Sequence, residues 1–197
     1  MHHLAGAADG HTPLDADEAQ GLIPSWVSTR ADLDRVEQEG IAKTVAWARS
    51  RRLKPMTILN EGFLCQLHKH MFGDVWTWAS HYRATVKNIG VDPAYIGQEL
   101  AQLIGDALYW VEHDTYSEDE TAVRLHHKLV WIHPFPNGNG RHSRLAADLL
   151  VQSLGERQFS WGETLAADRG VARATYIAAL RRADEGEIGP LLEFARR

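Results

Sequence analysis

The chain has 197 residues, of which 44% are hydrophobic and 24% are charged, a composition typical of one globular domain with a single core. Its formal net charge of −5 argues against a general nucleic-acid binder, which would carry a basic excess, so no direct nucleic-acid partner is expected. The sequence has no apolar run of membrane-spanning length, no signal-peptide pattern, and one cysteine, Cys65, which excludes an internal disulfide. These features predict a cytoplasmic protein with no membrane partner.

Patterning along the chain predicts an N-terminal arm, a helical segment and a core domain. They occupy residues 1–27, 28–55 and 56–197. In the arm, Trp26 is expected to dock the segment onto the core. The helical segment carries an apolar stripe with helical spacing, and Gly40 within it indicates either close packing against a neighbour or a helix break.

The core domain has the pattern of a helical bundle interrupted by one short extended stretch. Residues 82–90 alternate and are rich in β-branched side chains, which predicts a small β-hairpin. An Asp-Pro pair ending at Pro93 is typical of a helix start, and Ser117 begins a capping box for the helix that leads to His133. The sequence therefore predicts an all-α fold, a helical bundle with one small β-hairpin.

The most informative stretch is residues 131–144, which places a histidine, a Gly-Asn-Gly turn and two arginines in that order. A turn of this kind that opens a helix directs backbone N–H groups and the positive end of the helix dipole at one spot. Arg141 and Arg144 project from one face of the helix that follows, and guanidinium groups suit phosphate. His133 precedes the turn, where it could remove a proton from a hydroxyl. The pattern indicates chemistry on a nucleotide phosphate.

This segment resembles the signature of Fic-domain proteins, His-x-Phe-x-Asp/Glu-Gly-Asn-Gly-Arg-x-x-Arg. The matching positions are His133, Phe135, Gly138, Asn139, Gly140, Arg141 and Arg144. The sequence around the motif is similar to that of the branch called mobile mystery protein B. Trp78-Ala79, Arg83 and Pro93 extend the resemblance to the run before the motif, so that it covers residues 56–190.

The resemblance implies transfer of AMP from ATP to a Ser, Thr or Tyr hydroxyl of a target protein, with pyrophosphate leaving. His133 would be the general base. The residues implied to bind the nucleotide and its phosphates are Asn137, Gly138, Asn139, Gly140, Arg141 and Arg144. In the family a hairpin flap holds the target segment by adding a strand to its edge. The residues implied to form that flap are Thr85, Val86, Lys87, Asn88 and Ile89; the alternative is a solvent-exposed connector.

Asn137 departs from the signature, because the family has at this position an acidic residue that holds a magnesium ion between the α- and β-phosphates. Asn offers an oxygen without formal charge, and magnesium prefers carboxylate. The expectation is therefore ATP as the substrate with Mg²⁺ or Mn²⁺ held weakly at Asn137. Two outcomes stay open: slower or manganese-biased catalysis, and a nucleotide-binding regulatory or interaction protein that has lost catalysis.

Control of the reaction is also implied, since many Fic proteins carry an inhibitory helix that reads Ser/Thr-x-x-x-Glu-Gly/Asn. Glu39-Gly40 matches the end of this pattern, with Arg35 where Ser or Thr would stand. On that match Glu39 pairs with Arg144 and restrains the resting enzyme; the alternative is a solvated Glu39. The family also leaves open AMP removal, a Doc-like γ-phosphate transfer that Gly140 disfavours, a small antitoxin-like partner, and a homodimer.

Overall fold

The structure, a computed structural model, describes residues 16–163 and 169–197, so residues 1–15 of the predicted arm lie outside the described residues. Over this part of the chain the helices are α1 (Ala16–Gln20), α2 (Arg30–Arg49), α3 (Pro55–Ile58), α4 (Glu61–Phe72), α5 (Ile96–Glu112), α6 (Glu118–Ile132), α7 (Asn139–Ser153), α8 (Arg169–Asp184) and α9 (Gly189–Arg196). A 3₁₀ turn, Pro93–Tyr95, leads directly into α5. None of the described helices has the length and apolar character needed to cross a bilayer.

Polar side chains fix where the longer helices begin. Thr29 caps α2 in a reciprocal pair with Asp32, so two N–H groups at the helix start are satisfied. Asn60 caps α4 by accepting the N–H of Phe63 at 3.2 Å. The predicted cap Ser117 accepts the N–H of Glu120 at 3.2 Å and starts α6, the helix that ends at the motif histidine.

The core lies around α6 and α7, which pack against each other. Helix α5 also packs against α6, α2 packs against α4, and α8 packs against α9. The largest fully buried apolar side chains come from α3 to α6, the segments between them and the loop after α6: Ile58, Leu59, Leu64, Leu67, Met71, Phe72, Trp76, Ile96, Leu100, Leu125, Leu129 and Phe135. The predicted all-α bundle is confirmed.

The β-hairpin predicted within this bundle is wrong. Residues 81–92 form bends and irregular backbone, and in the described ranges the only isolated β-bridge joins Leu22 to Trp76. The Arg83 side chain instead donates to the carbonyls of Thr85, at 2.9 Å, and Val91. A guanidinium group, rather than a backbone ladder, therefore closes this loop at its base. We call residues 84–90 the flap loop.

Helix α2 approaches α4 closely because Gly40 has no side chain. A Cβ at Gly40 would lie 2.3 Å from the Met71 carbonyl oxygen, so the close packing expected at this glycine is confirmed. The buried face of α2 carries Leu33, Glu37, Gly40, Thr44 and Ala48. These residues recur every three or four positions, as one face of a helix requires, and that face includes a carboxylate.

Candidate active site

His133 ends α6 in a left-handed backbone conformation, with φ 53° and ψ 60°. A residue with a side chain pays about 1–2 kcal/mol for this conformation, so neighbouring contacts must hold it. The Arg83 Nε atom donates to the His133 carbonyl at 2.7 Å, and the Arg83 backbone N–H donates to the Pro134 carbonyl at 2.9 Å. Arg83 therefore supports the chain where α6 turns into the motif loop.

The His133 imidazole is neutral at pH 7. Burial lowers its pKa to about 4, and the positive charges of Arg83 and Lys87 act in the same direction. The residue is only 4% exposed, which accounts for the dominance of burial. Neutral imidazole is the form that can accept a proton, so the environment suits a general base.

The Gly-Asn-Gly turn begins α7, with Gly138 as the N-cap at φ 79°. A Cβ at Gly138 would lie 2.6 Å from the nearest atom of the Phe72 ring, so this position requires glycine on steric as well as conformational grounds. The first N–H groups of α7 have no acceptor within the helix itself, and the positive end of the helix dipole lies at the same place. This is the arrangement that the sequence predicted for anion binding.

Gly138→Ala is expected to lower the free energy of unfolding by about 2–4 kcal/mol, because backbone strain and overpacking against Phe72 add together. Gly155→Ala is the matched control: its φ is +101°, but an added Cβ would meet nothing within 4 Å. The control should lose only about 1 kcal/mol, the part due to backbone strain. Urea unfolding of both variants measures the difference, and equal losses would contradict the role given to Phe72.

The two asparagines of the turn bond to nearby backbone. The Asn139 side chain accepts the Phe135 N–H at 2.9 Å and donates to the Phe135 carbonyl at 2.7 Å. The Asn137 Oδ1 atom accepts the Gly138 N–H at 2.6 Å. Asn139 thus fixes the shape of the motif loop, and the phosphate contact predicted for its side chain stays a prediction.

His68 supports the turn from α4, a role that the sequence analysis missed. Its Nδ1 atom accepts the Ser80 N–H at 3.1 Å, so Nε2 carries the proton and donates to the Asn137 carbonyl at 3.0 Å. Burial lowers the pKa of His68 well below its usual value, which keeps the ring neutral. The His68 ring stacks on the Phe135 ring, with 3.8 Å between the two ring centres. The available signal was a histidine one helical turn from Leu64 on an apolar face.

The protein groups at the turn do not fit a divalent metal ion. Magnesium prefers carboxylate and demands near-octahedral oxygen ligands. The residue at the acidic position of the signature is Asn137, whose Oδ1 atom accepts a hydrogen bond from Gly138. Within the described ranges, no three His, Cys, Asp or Glu side chains are grouped so that they could hold an ion. The weak metal site at Asn137 therefore stays a prediction.

Glu37 of α2 reaches the first motif arginine. One carboxylate oxygen accepts from Arg141 Nη1 at 2.7 Å, and the other accepts from Trp76 Nε1 at 2.8 Å. The Glu37 side chain is 6% exposed, whereas that of Arg141 is 34% exposed and also lies over the Phe72 ring. The motif arginine therefore has a buried carboxylate partner at the place predicted to receive phosphate.

The prediction that Glu39 pairs with Arg144 is wrong. Glu39 is exposed, because it lies two residues from Glu37 and hence about 200° around α2 from the buried face. Arg144 instead donates from Nε to the Gly140 carbonyl at 3.1 Å. Its guanidinium carbon lies 5.5 Å from the centre of the Tyr176 ring on α8. The carboxylate near the motif is Glu37, and the exposed alternative holds for Glu39.

The residues predicted to form the flap do not share one environment. Thr85, Val86, Asn88 and Ile89 are exposed. The Lys87 side chain is 2% exposed and pairs with Glu18 of α1 at 2.6 Å. The Glu18 carbonyl in turn accepts from Trp78 Nε1 at 3.0 Å. The N-terminal segment is thus bonded to the flap loop and to the segment before it.

Comparison with known proteins places these features in one family. Residues 58–151 match the model of the Fic/DOC family. Protein adenylyltransferase fic-1 of Caenorhabditis briggsae is 29% identical over 143 residues, which are 68% of this chain and 26% of that protein. Uridine 5'-monophosphate transferase of Xanthomonas campestris pv. campestris is 37% identical over 71 residues, 32% of this chain and 12% of that protein. The chain thus spans about a quarter or less of the length of either relative.

The fold is also found among solved structures. The BepC protein of Bartonella tribocorum, a translocated effector solved with bound AMPPNP, superposes with a TM-score of 0.64 at 19% identity. The match covers 92% of this chain and 97% of that one. At this identity the likeness concerns the fold, and it agrees with the family match and with the signature between α6 and α7. Residues 58–151 form a Fic domain, and the chain is a Fic-domain protein.

Proposed function

We propose that the protein transfers a nucleoside monophosphate, most simply AMP from ATP, to a Ser, Thr or Tyr hydroxyl of a target protein. The observation that carries the proposal is a neutral, buried His133 at the end of α6, five residues before the glycine that caps α7. A protein that only bound nucleotide would have no use for a base at this position.

The proposed reaction needs one base and one anion site. The target oxygen forms a bond to the α-phosphorus while its proton passes to the His133 imidazole. The bond from the α-phosphorus to the oxygen that bridges to the β-phosphorus breaks, and pyrophosphate leaves with that oxygen. The first N–H groups of α7, with Arg141 and Arg144, stabilise the negative charge that develops on the phosphate oxygens. No step is assigned to a metal ion.

Names of similar proteins support this choice of reaction. The Caenorhabditis briggsae relative is named a protein adenylyltransferase, and the BepC structure contains an ATP analogue. The Xanthomonas relative is named a uridine monophosphate transferase, which makes UTP a second candidate nucleotide. Membership of the mobile mystery protein B branch, a cytoplasmic setting, use of Mg²⁺ or Mn²⁺, an antitoxin-like partner and a homodimer stay predictions.

Labelled nucleotides test the proposed function directly. With ATP labelled at the α-phosphate, we expect label on protein, whereas ATP labelled at the γ-phosphate should give none, since pyrophosphate carries that label away. Parallel reactions with α-labelled UTP identify the preferred base. Each reaction is run with magnesium, with manganese and with EDTA. Label from the γ-position alone would contradict nucleotidyl transfer and favour Doc-like phosphate transfer.

A nucleotide-binding protein without transfer is the second candidate, and Asn137 is the observation that favours it. Its side chain carries no charge and its oxygen accepts from Gly138. Calorimetric binding of ATP without transfer to any protein in a cell extract would support this candidate. Asn137→Asp restores the acidic position, so transfer appearing only in that variant would assign the loss of catalysis to this residue.

We further propose that Glu37 restrains the site. Its carboxylate forms an ion pair with Arg141, one of the two guanidinium groups assigned to phosphate. A phosphate that uses Arg141 must compete with this pair, because the carboxylate and the phosphate oxygens need the same donors. Nucleotide binding would then be weaker than the anion site alone allows.

A further inference from the structure

We propose that Arg83 is a positioning residue that couples the flap loop to His133, so that the position of the loop and the orientation of the base depend on one guanidinium group. The inference rests on the proposed function for its catalytic consequence, but not for its structural one. Arg83 lies outside the signature, fifty residues before His133 and before the 3₁₀ turn Pro93–Tyr95 that leads into α5.

The guanidinium group joins two parts of the chain that are distant in sequence. On one side it donates to the carbonyls of Ile132, at 3.4 Å, and His133, at 2.7 Å. On the other it donates to the carbonyls of Thr85, at 2.9 Å, and Val91. All its side-chain hydrogen bonds within the described ranges go to backbone carbonyls, so it bonds the start of the flap loop and the residue that follows the loop to the C-terminal end of α6.

The burial of Arg83 makes this set of bonds costly to lose. The residue is 2% exposed, and the guanidinium stays charged even where burial lowers its pKa. The carbonyls of Ile132 and His133, whose bonds to Arg83 are buried, would lose their donor in a site with little access to water. A lysine could supply the charge but not the planar fork of donors that meets all four carbonyls.

Gly90 adds a direct contact between the flap loop and the histidine. Its φ is +103°, and a Cβ there would lie 2.6 Å from Arg83 Nη2 and 2.7 Å from His133 Cβ. The loop backbone therefore packs against both the guanidinium and the base. Because the loop backbone approaches both groups so closely, a displaced loop would move His133 as well.

The same geometry separates Arg83 from the anion site. In the segment that leads to the turn, Arg83 bonds only to residues 132–134, whereas the anion site begins at Gly138. Loss of the guanidinium should therefore disturb the base and the flap loop but leave nucleotide affinity intact. A residue that only stabilised the fold would not divide its effects in this way.

Arg83→Gln and Arg83→Lys test the coupling, with Arg181→Gln, an exposed arginine on α8, as the matched control. In the full-length protein, Arg83→Gln should lower kcat for transfer on the order of 10²-fold, the effect of misplacing a reacting group by about 1 Å. Its Kd for ATP should stay within about threefold of the wild-type value. Hydrogen exchange of the backbone amides at positions 83 and 91, which donate to the carbonyls of Pro134 and Ile132, should rise at least about tenfold. Arg83→Lys should keep more transfer activity than Arg83→Gln but less than the wild type.

Two outcomes would overturn the proposal. If ATP affinity fell together with kcat, Arg83 would support the whole domain rather than the coupling. If amide exchange at positions 83 and 91, on either side of the flap loop, stayed at the wild-type rate, the guanidinium would not hold the loop. The exchange and ATP-binding measurements need no transfer activity. A wild-type protein that transfers nothing would therefore refute the proposed function, while amide exchange at these two positions still decides whether Arg83 joins the flap loop to His133.

Discussion

His133→Ala is expected to reduce nucleotide transfer by about 10²–10⁴-fold, the usual contribution of a general base. Affinity for ATP should change little, because the phosphates are assigned to the turn and to Arg141 and Arg144. The measurement is initial-rate labelling combined with calorimetric binding. His81→Ala, at an exposed position before the flap loop, is the control and should keep the wild-type rate. Unchanged transfer by His133→Ala would remove the histidine from the mechanism.

The pH dependence of transfer gives an independent measure of the same residue. A general base works in its deprotonated form, and burial with the charges of Arg83 and Lys87 lowers the pKa of His133 to about 4. Activity should therefore be nearly constant from pH 8 to pH 6 and decline only as the pH falls toward 4. A histidine with the ordinary pKa of about 6.5 would be only about a quarter deprotonated at pH 6. A fall of that size at pH 6 would contradict the lowered pKa.

Glu37→Gln is expected to tighten ATP binding on the order of tenfold, a change of about 1.4 kcal/mol. The substitution removes the charge that competes with phosphate for Arg141. The amide oxygen can still accept from Trp76 Nε1, so the buried indole keeps its partner. The free energy of unfolding should consequently change by less than about 1–2 kcal/mol. Calorimetry of ATP binding and urea unfolding together measure both effects.

Glu39→Gln is the matched control for this substitution, because it removes the same charge from an exposed position on the same helix. It should leave ATP affinity and transfer at wild-type levels. The opposite change in ATP affinity for Glu37→Gln would decide against the proposed restraint. Weaker ATP binding would mean that Glu37 orients Arg141 toward the phosphate, and the proposed restraint would be rejected.

The chemistry of the motif could be predicted from sequence because it depends on residues close together in the chain. The order of His133, Gly138 and Arg141 places a base before a helix start and a guanidinium inside its first turn. The turn at Gly138 could likewise be predicted, because glycine favours the left-handed conformation that this helix cap adopts. The start of α6 at its serine cap followed from a local hydrogen bond. None of these features needs information about distant parts of the fold.

Contacts between distant segments were beyond such local reasoning. Alternation in residues 82–90 indicated strands, but Arg83 takes loop carbonyls that a ladder would otherwise use. The choice between Glu37 and Glu39 depended on which face of α2 is buried. Gly40 marks that face through its contact with the α4 backbone, and a Glu-Gly match to a family pattern did not carry this information. Side-chain bonding across the fold, not propensity, decided both points.

The close approach of α2 to α4 at Gly40 also bears on how fast the site can respond. Withdrawal of the whole helix would be a collective motion on a scale of about microseconds to milliseconds. With α2 packed directly on the Met71 carbonyl, the smaller change is a rotation of the Glu37 side chain alone. We expect such a rotation to equilibrate faster than nucleotides arrive and leave, because side-chain rotamers interconvert faster than whole helices move. The carboxylate would then set a dissociation constant rather than delay turnover, and progress curves should begin without a lag.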